Sequence, residues 1–142
     1  MNNTFLRIAA TVIAFIVGYA VVSSLFQGGG SHISTRHYLT MEAEVTNKKL
    51  PMMVDADTRI DKVEVGDGTN NVLIYDYTLP RITKNQIDAS VLKKILLPNL
   101  IQNYKTNSLM QRMRDLGVEL DYHYVDKNGD FIFEQPISPK DF

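Results

Sequence analysis

Cysteine is missing from all 142 residues of the chain. Its absence excludes disulfides, thiolate metal sites and cysteine nucleophiles, but it does not fix the compartment, because an exported domain can do without bridges. An excess of positive charge is missing too, with 15 Lys and Arg against 16 Asp and Glu. Setting aside Arg7, the part beyond residue 26 has 14 bases against 16 acids, a formal charge of −2. The bases are scattered, with Lys48-Lys49 and Lys93-Lys94 as the adjacent pairs. Such a balance offers no footprint for nucleic acid, which is not an expected partner. The sequence also has no Gly-x-Ser-x-Gly elbow, phosphate loop or dinucleotide fingerprint, so nothing argues for an enzyme or for a cofactor.

Charge is absent altogether from residues 8–26, IAATVIAFIVGYAVVSSLF. As a helix this run would reach roughly 28 Å at about 1.5 Å per residue, close to the thickness of a hydrocarbon core. Arg7 and the amino terminus precede it, so it reads as a signal peptide or an uncleaved signal anchor, and either one exports the rest of the chain. The flanking charge favours a cytoplasmic amino terminus, a bias weakened by Arg36 on the far side. Val21-Val22-Ser23 and Val22-Ser23-Ser24 are poor cleavage sites, and the run exceeds the roughly 7 to 15 residues of a signal-peptide core, which favours an anchor. Secretion after cleavage remains the alternative. Ala14 and Gly18 form a small-xxx-small pair that would let two such helices approach, and self-association stays open. Gly28-Gly29-Gly30-Ser31 cannot propagate a helix cheaply and reads as a flexible tether. The expected organisation is an anchor over 1–27, a tether over 28–34 and an exported domain over 35–142.

Within that domain, residues 35–50 fit either period, and Met41-Glu42-Ala43-Glu44 followed by Pro51 tilts them to a helix. Residues 58–65 and 71–79 are rich in valine, isoleucine and tyrosine around Gly66-Asp67-Gly68-Thr69-Asn70, the pattern of a hairpin. Leu73, Tyr75, Tyr77 and Leu79 share one face of its second strand. Thr83-Lys84-Asn85-Gln86 has the form of a capping box, and Ile87, Val91 and Ile95, joined by Leu92, Leu96 and Leu97, mark a buried stripe. Pro98 should kink or restart that helix. Asn107-Ser108 can cap a last helix that ends at Leu116-Gly117. Val118, Leu120, Tyr122 and Tyr124 then alternate with polar residues, and Asn128-Gly129 offers a two-residue turn that pairs Tyr124 with Phe133. Two hairpins flanking a helical segment predict an α+β domain: a four-stranded antiparallel sheet with helices on one face.

The densest polar stretch is MMVDADTRID, residues 52–61. Asp55-Ala56-Asp57 has the spacing with which some glycosyltransferases hold a metal, but a domain of this size lacks room for the nucleotide fold that would give the spacing meaning. A calcium loop fails, because position six from Asp55 is Ile60 and position twelve is Gly66. Asp126-Lys127-Asn128-Gly129-Asp130 fails likewise and reads as a turn. His32, His37 and His123 lack the spacing of metal ligands, so no metal is expected. Asp57, Arg59 and Asp61, with Tyr75 and Tyr77, are the candidate binding residues. The tyrosines on alternate strand positions form either a core or a recognition surface, and Leu73 and Leu79 on the same face favour the core. No catalytic residue is assigned, and the stretch itself reads as the lead-in to a strand with polar decoration.

LPMMVDADTRID, YDYTLP, LPNLIQN, VELDYHYVDKNGDFI and the terminal ISPKDF occur in this order over residues 50–142. The set resembles a group of small bacterial exported proteins in which LPMMVD-x-x-TR-x-D, Y-x-Y-T-L and Y-x-Y-x-D-x-x-G segments recur. The resemblance implies a periplasmic or membrane-tethered α+β module without an assigned reaction. It also implies a pair of cysteines bridging the long helix to the C-terminus; Lys105 and Phe142 occupy those places here, so the tail must be held by packing. The expected function is that of a non-enzymatic bacterial inner-membrane protein, in contact with the bilayer through residues 8–26. Its periplasmic domain would bind an envelope protein or complete a membrane assembly. The alternative is a small ligand-binding or hydrolytic domain built on Asp57, Arg59 and Asp61.

Overall fold

The computed structural model describes residues 33–142. The expected anchor and nearly all of the tether lie outside the described residues. Among the described residues, no helix is long and apolar enough to cross a membrane. The chain runs through α1 (Thr35–Asn47), β1 (Met52–Met53), β2 (Arg59–Val65), β3 (Val72–Leu79), α2 (Ala89–Thr106), α3 (Gln111–Asp115), β4 (Glu119–Asp126) and β5 (Phe131–Ile137). Short 3₁₀ turns lie at Lys84–Gln86, Ser108–Met110 and Pro139–Asp141.

The α+β class is as expected, whereas the sheet is not four-stranded and not wholly antiparallel. It has five strands in the order β1-β2-β3-β4-β5. The outer pairs are antiparallel, and β3 lies parallel to β4 along its whole length, Val72 facing Glu119 and Leu79 facing Asp126. The helix between the hairpins decides this. With 18 residues, α2 spans roughly 27 Å at about 1.5 Å per residue, enough to carry the chain back along an eight-residue strand so that β4 starts where β3 started. The added strand is β1, whose Met52 and Met53 pair with Ile60 and Arg59. MMVDADTRID is therefore a small hairpin, with the Asp57 N–H donating to the Asp55 carboxylate at 2.7 Å in its turn.

Strand alternation sends Leu73, Tyr75, Tyr77 and Leu79 of β3 and Leu120, Tyr122 and Tyr124 of β4 to one buried face. Across the sheet, Tyr75 stacks on Tyr122 at 5.5 Å, Tyr77 on Tyr124 at 5.0 Å and Tyr124 on Phe133 at 4.8 Å. This aromatic layer is the floor of the core. The roof is α2, whose Leu92, Leu96, Leu100 and Tyr104 are buried at strict four-residue spacing. The stripe expected through Ile87, Val91 and Ile95 is displaced by one position: Val91 is 42% exposed. The cause is the point at which the helix begins. The capping box at Thr83 is present but closes only a 3₁₀ turn. The N-cap of α2 is Asp88, whose carboxylate accepts from the Ser90 and Val91 amides, the usual way orphan donors of a first turn are satisfied. Pro98 neither stops nor restarts α2, which runs unbroken to Thr106. It sits on the exposed side, where water can serve the carbonyl left without its donor.

The β4–β5 turn holds Tyr124 opposite Phe133 by a different route from the expected two-residue loop. Gly129, at φ +85°, ends a three-residue loop closed by Gly129 N–H to Asp126 O and Asp126 N–H to Asp130 O. A register shift between Tyr124 and Val125 absorbs the extra residue. Asp126, 1% exposed, anchors the turn by accepting from the amides of Asn128 at 2.7 Å, Lys84 at 2.8 Å and Asp130 at 3.0 Å. Burial opposes its ionisation, yet those amides hold the carboxyl below its usual range. Asp126→Ala is expected to strip hydrogen-exchange protection from the amides of Lys84, Asn128 and Asp130 while leaving β2 protected; unchanged exchange at those three amides would contradict this role. The C-terminal tail is held by packing: the Phe142 ring meets Tyr104 edge-on at 5.8 Å, and the Tyr104 hydroxyl donates to Val118 O at 2.7 Å.

Candidate functional site

The three helices put their buried side chains into one core on the tyrosine face. The opposite face of the sheet has no covering layer among the described residues, and its cross-strand rows are set by the register. Arg59, Thr78, Val125 and Phe131 form one row. Lys62, Asp76, His123 and Glu134 form the next, with Glu64, Ile74, Asp121 and Pro136 beyond them.

The β2 side of this face neutralises itself. Arg59 pairs with Asp61, which also accepts from the Thr78 hydroxyl, and Lys62 pairs with Glu64. Toward β5 the balance is lost. Asp76, Glu119, Asp121 and Glu134 share this half of the face with a single imidazole, that of His123, whose Nδ1 lies 2.9 Å from Asp76 Oδ1. The imidazole stacks on Phe131 at 5.3 Å, and Phe131 is 46% exposed. Asp121 Oδ1 is buried without a partner. Burial, and next the charges of Glu134 and Glu119, raise its carboxyl above the usual range. No group of three or more His, Asp or Glu side chains that could hold a metal ion occurs among the described residues. The chemistry this half of the face offers is that of charge beside an exposed aromatic ring.

Sheet alternation separates the five candidate residues read from the sequence. Arg59 and Asp61 come together on the open face. Asp57 is 6% exposed in the β1–β2 turn, with its carboxylate 3.6 Å from the Arg81 guanidinium beyond β3. Tyr75 and Tyr77, 3% and 6% exposed, lie under the helices. One ligand on the open face therefore cannot also touch the two tyrosines. A polar cleft of about 440 Å³ lies at the far end of β2, lined by Asn70, Asn71, Glu119, Ser138 and Lys140 among others, and it does not reach Asp57 or Arg59. Sequence reading missed Asp76, Asp121 and Phe131. Their only local signal is alternation with buried aromatics; the parallel β3–β4 register sets Asp76 beside His123, and the β4–β5 pairing brings in Phe131.

A mixed five-stranded sheet with helices on one face and polar rows on the other defines a small α+β domain. Residues 34–133 match the family described as a domain of unknown function (DUF8479), and the chain belongs to that family. No curated protein sequence matches it. Among solved structures the fold is similar to EpsS, the pilotin of the Vibrio vulnificus type 2 secretion system. The TM-score is 0.58 at 11% identity, over 75% of this chain and 89% of that one. It is also similar to a Pseudomonas aeruginosa protein named as secreted, with a TM-score of 0.55 at 15% identity over 77% of this chain and 95% of that one. At such identities the likeness is one of fold.

Proposed function

We propose that this protein is a non-enzymatic accessory protein of the bacterial envelope, anchored in the inner membrane by residues 8–26. Its periplasmic domain binds another envelope protein through the open face of the sheet. The observation that carries the reading is the asymmetry of the sheet: three helices seal one face, while the other presents exposed Phe131 among unbalanced charges. The uncharged run and glycine tether of the sequence support the anchor, and a secretion-system pilotin is among the proteins that share the fold. A glycine-rich tether spreads only about 5 to 6 Å times the square root of its length, which keeps the domain and its partner near the bilayer.

A photo-crosslinking amino acid placed in cells at Phe131 or Lys62 is expected to capture one recurrent envelope protein, while the same group at Val91 on α2 captures none. Equal, unselective crosslinking from all three positions would refute the docking face. Intact mass of the membrane fraction is expected to give the full chain; a species beginning after residue 22 would replace the anchor with a cleaved signal.

A further inference from the structure

Resting on that reading, we infer that the segment received by the β3–β5 half of the open face is basic: a stretch of partner protein bearing Lys or Arg beside an apolar side chain. The open face of β2 to β5 carries six carboxylates, Asp61, Glu64, Asp76, Glu119, Asp121 and Glu134, against two permanent cations, Arg59 and Lys62. Both cations are already committed to carboxylates of β2. The domain as a whole is nearly neutral, so this face is acidic beyond its share. Its sign excludes nucleic acid and anionic lipid, and it makes a second copy docked through the same face self-repelling.

Asp121 supplies the independent observation. It stands in the middle of the face with one oxygen buried and unpartnered, beside two like charges whose proximity, with burial, disfavours its ionised form. Within the fold only the His123 imidazole acts the other way, whereas an arriving guanidinium or ammonium would offset the repulsion among Asp121, Glu134 and Glu119. Two rows further along the face, beyond His123 and Glu134, Phe131 provides the apolar contact and an aromatic face for an Arg.

The test uses the full chain in zwitterionic detergent and a fluorescent peptide of alternating leucine and arginine, with anisotropy as the readout. The unaltered chain is expected to bind it, more weakly as salt rises. Asp121→Asn with Glu134→Gln is expected to weaken binding roughly tenfold while leaving thermal stability equal or higher, because the neutralised pair no longer repels. A merely structural role would lower stability instead. Undiminished binding by that variant, equal binding of a leucine-glutamate peptide, or spermine binding as tightly as the peptide would each overturn the inference. Crosslinks from Phe131 that survive charge neutralisation overturn the basic segment and leave docking intact. The absence of crosslinks from every open-face position overturns docking and this inference with it.

Discussion

Leu96→Ala is expected to lower the unfolding free energy by about 2 to 5 kcal/mol, the range for deleting a buried leucine side chain in a core that relaxes incompletely. For a domain with a total of roughly 5 to 15 kcal/mol, that removes a large fraction. Leu96 is 1% exposed at the centre of the α2 stripe, between Leu92 and Leu100, which are equally buried. Beneath it lies the stacked tyrosine layer, whose rigid rings cannot flow into the space vacated. The loss should therefore sit near the upper part of the range. Val91→Ala, one residue from the stripe and 42% exposed, is expected to change stability by no more than about 0.5 kcal/mol. Urea denaturation of both variants checks the contrast. A loss at Val91 as large as that at Leu96 would return the stripe to the position that the sequence periodicity suggests and would contradict the packing of α2 on the sheet.

That displaced stripe shows where sequence reasoning reaches its limit. Each hairpin is readable, because alternation in 71–79 and 118–125 and the glycines at 66–68 and 129 are local signals. The partition of tyrosines into the core is readable as well, since Leu73 and Leu79 share their face. The direction of β4 against β3 is not, because it depends on how far α2 carries the chain, a property of no short window. Two residues of β1 are too few to show a period. The start of α2 is misplaced because two capping signals, Thr83 and Asp88, lie five positions apart and the nearer one to β3 closes only a 3₁₀ turn. Arg59 and Asp61 stand out from composition alone, while Asp76, Asp121, His123 and Phe131 gain meaning from cross-strand rows. Those four are legible as a site only once the β3–β4 and β4–β5 registers are known.

Glu42→Gln is expected to stabilise the domain by about 2 to 3 kcal/mol at pH 8 and to leave it unchanged near pH 4. Glu42 lies on α1, 2% exposed, with one carboxylate oxygen buried and unpartnered. Burial pushes its carboxyl up to about 7, against the pull of Tyr38, which hydrogen-bonds it, and of Arg112. The Arg112 guanidinium lies over the Tyr38 ring at 4.7 Å, so the acid is set between α1 and α3 with a cation near but its own oxygens incompletely served. Because the folded value lies above the unfolded one, the folded state binds the proton more tightly. The favourable state is fully present below the ordinary carboxylate range of roughly 4 to 4.5 and is lost as pH rises through about 7, at about 1.4 kcal/mol per pH unit. Glutamine keeps the shape and an acceptor for the Tyr38 hydroxyl while removing the charge, so its advantage should grow over the same window and then level off. Chemical denaturation at pH 4, 6 and 8 tracks this course directly. An advantage independent of pH would assign the gain to packing and would remove Glu42 from the titrating groups that set the stability of α1. The consequence reaches the sheet, because α1 also covers the edge of β2: the Asn47 amide donates to Val63 O at 2.7 Å and its oxygen accepts from Val63 N–H at 2.8 Å. Weakening α1 at alkaline pH exposes that edge, so amide exchange at Val63 in the native protein should accelerate from pH 6 to 8 beyond the intrinsic rate, and the Glu42→Gln variant should suppress the excess.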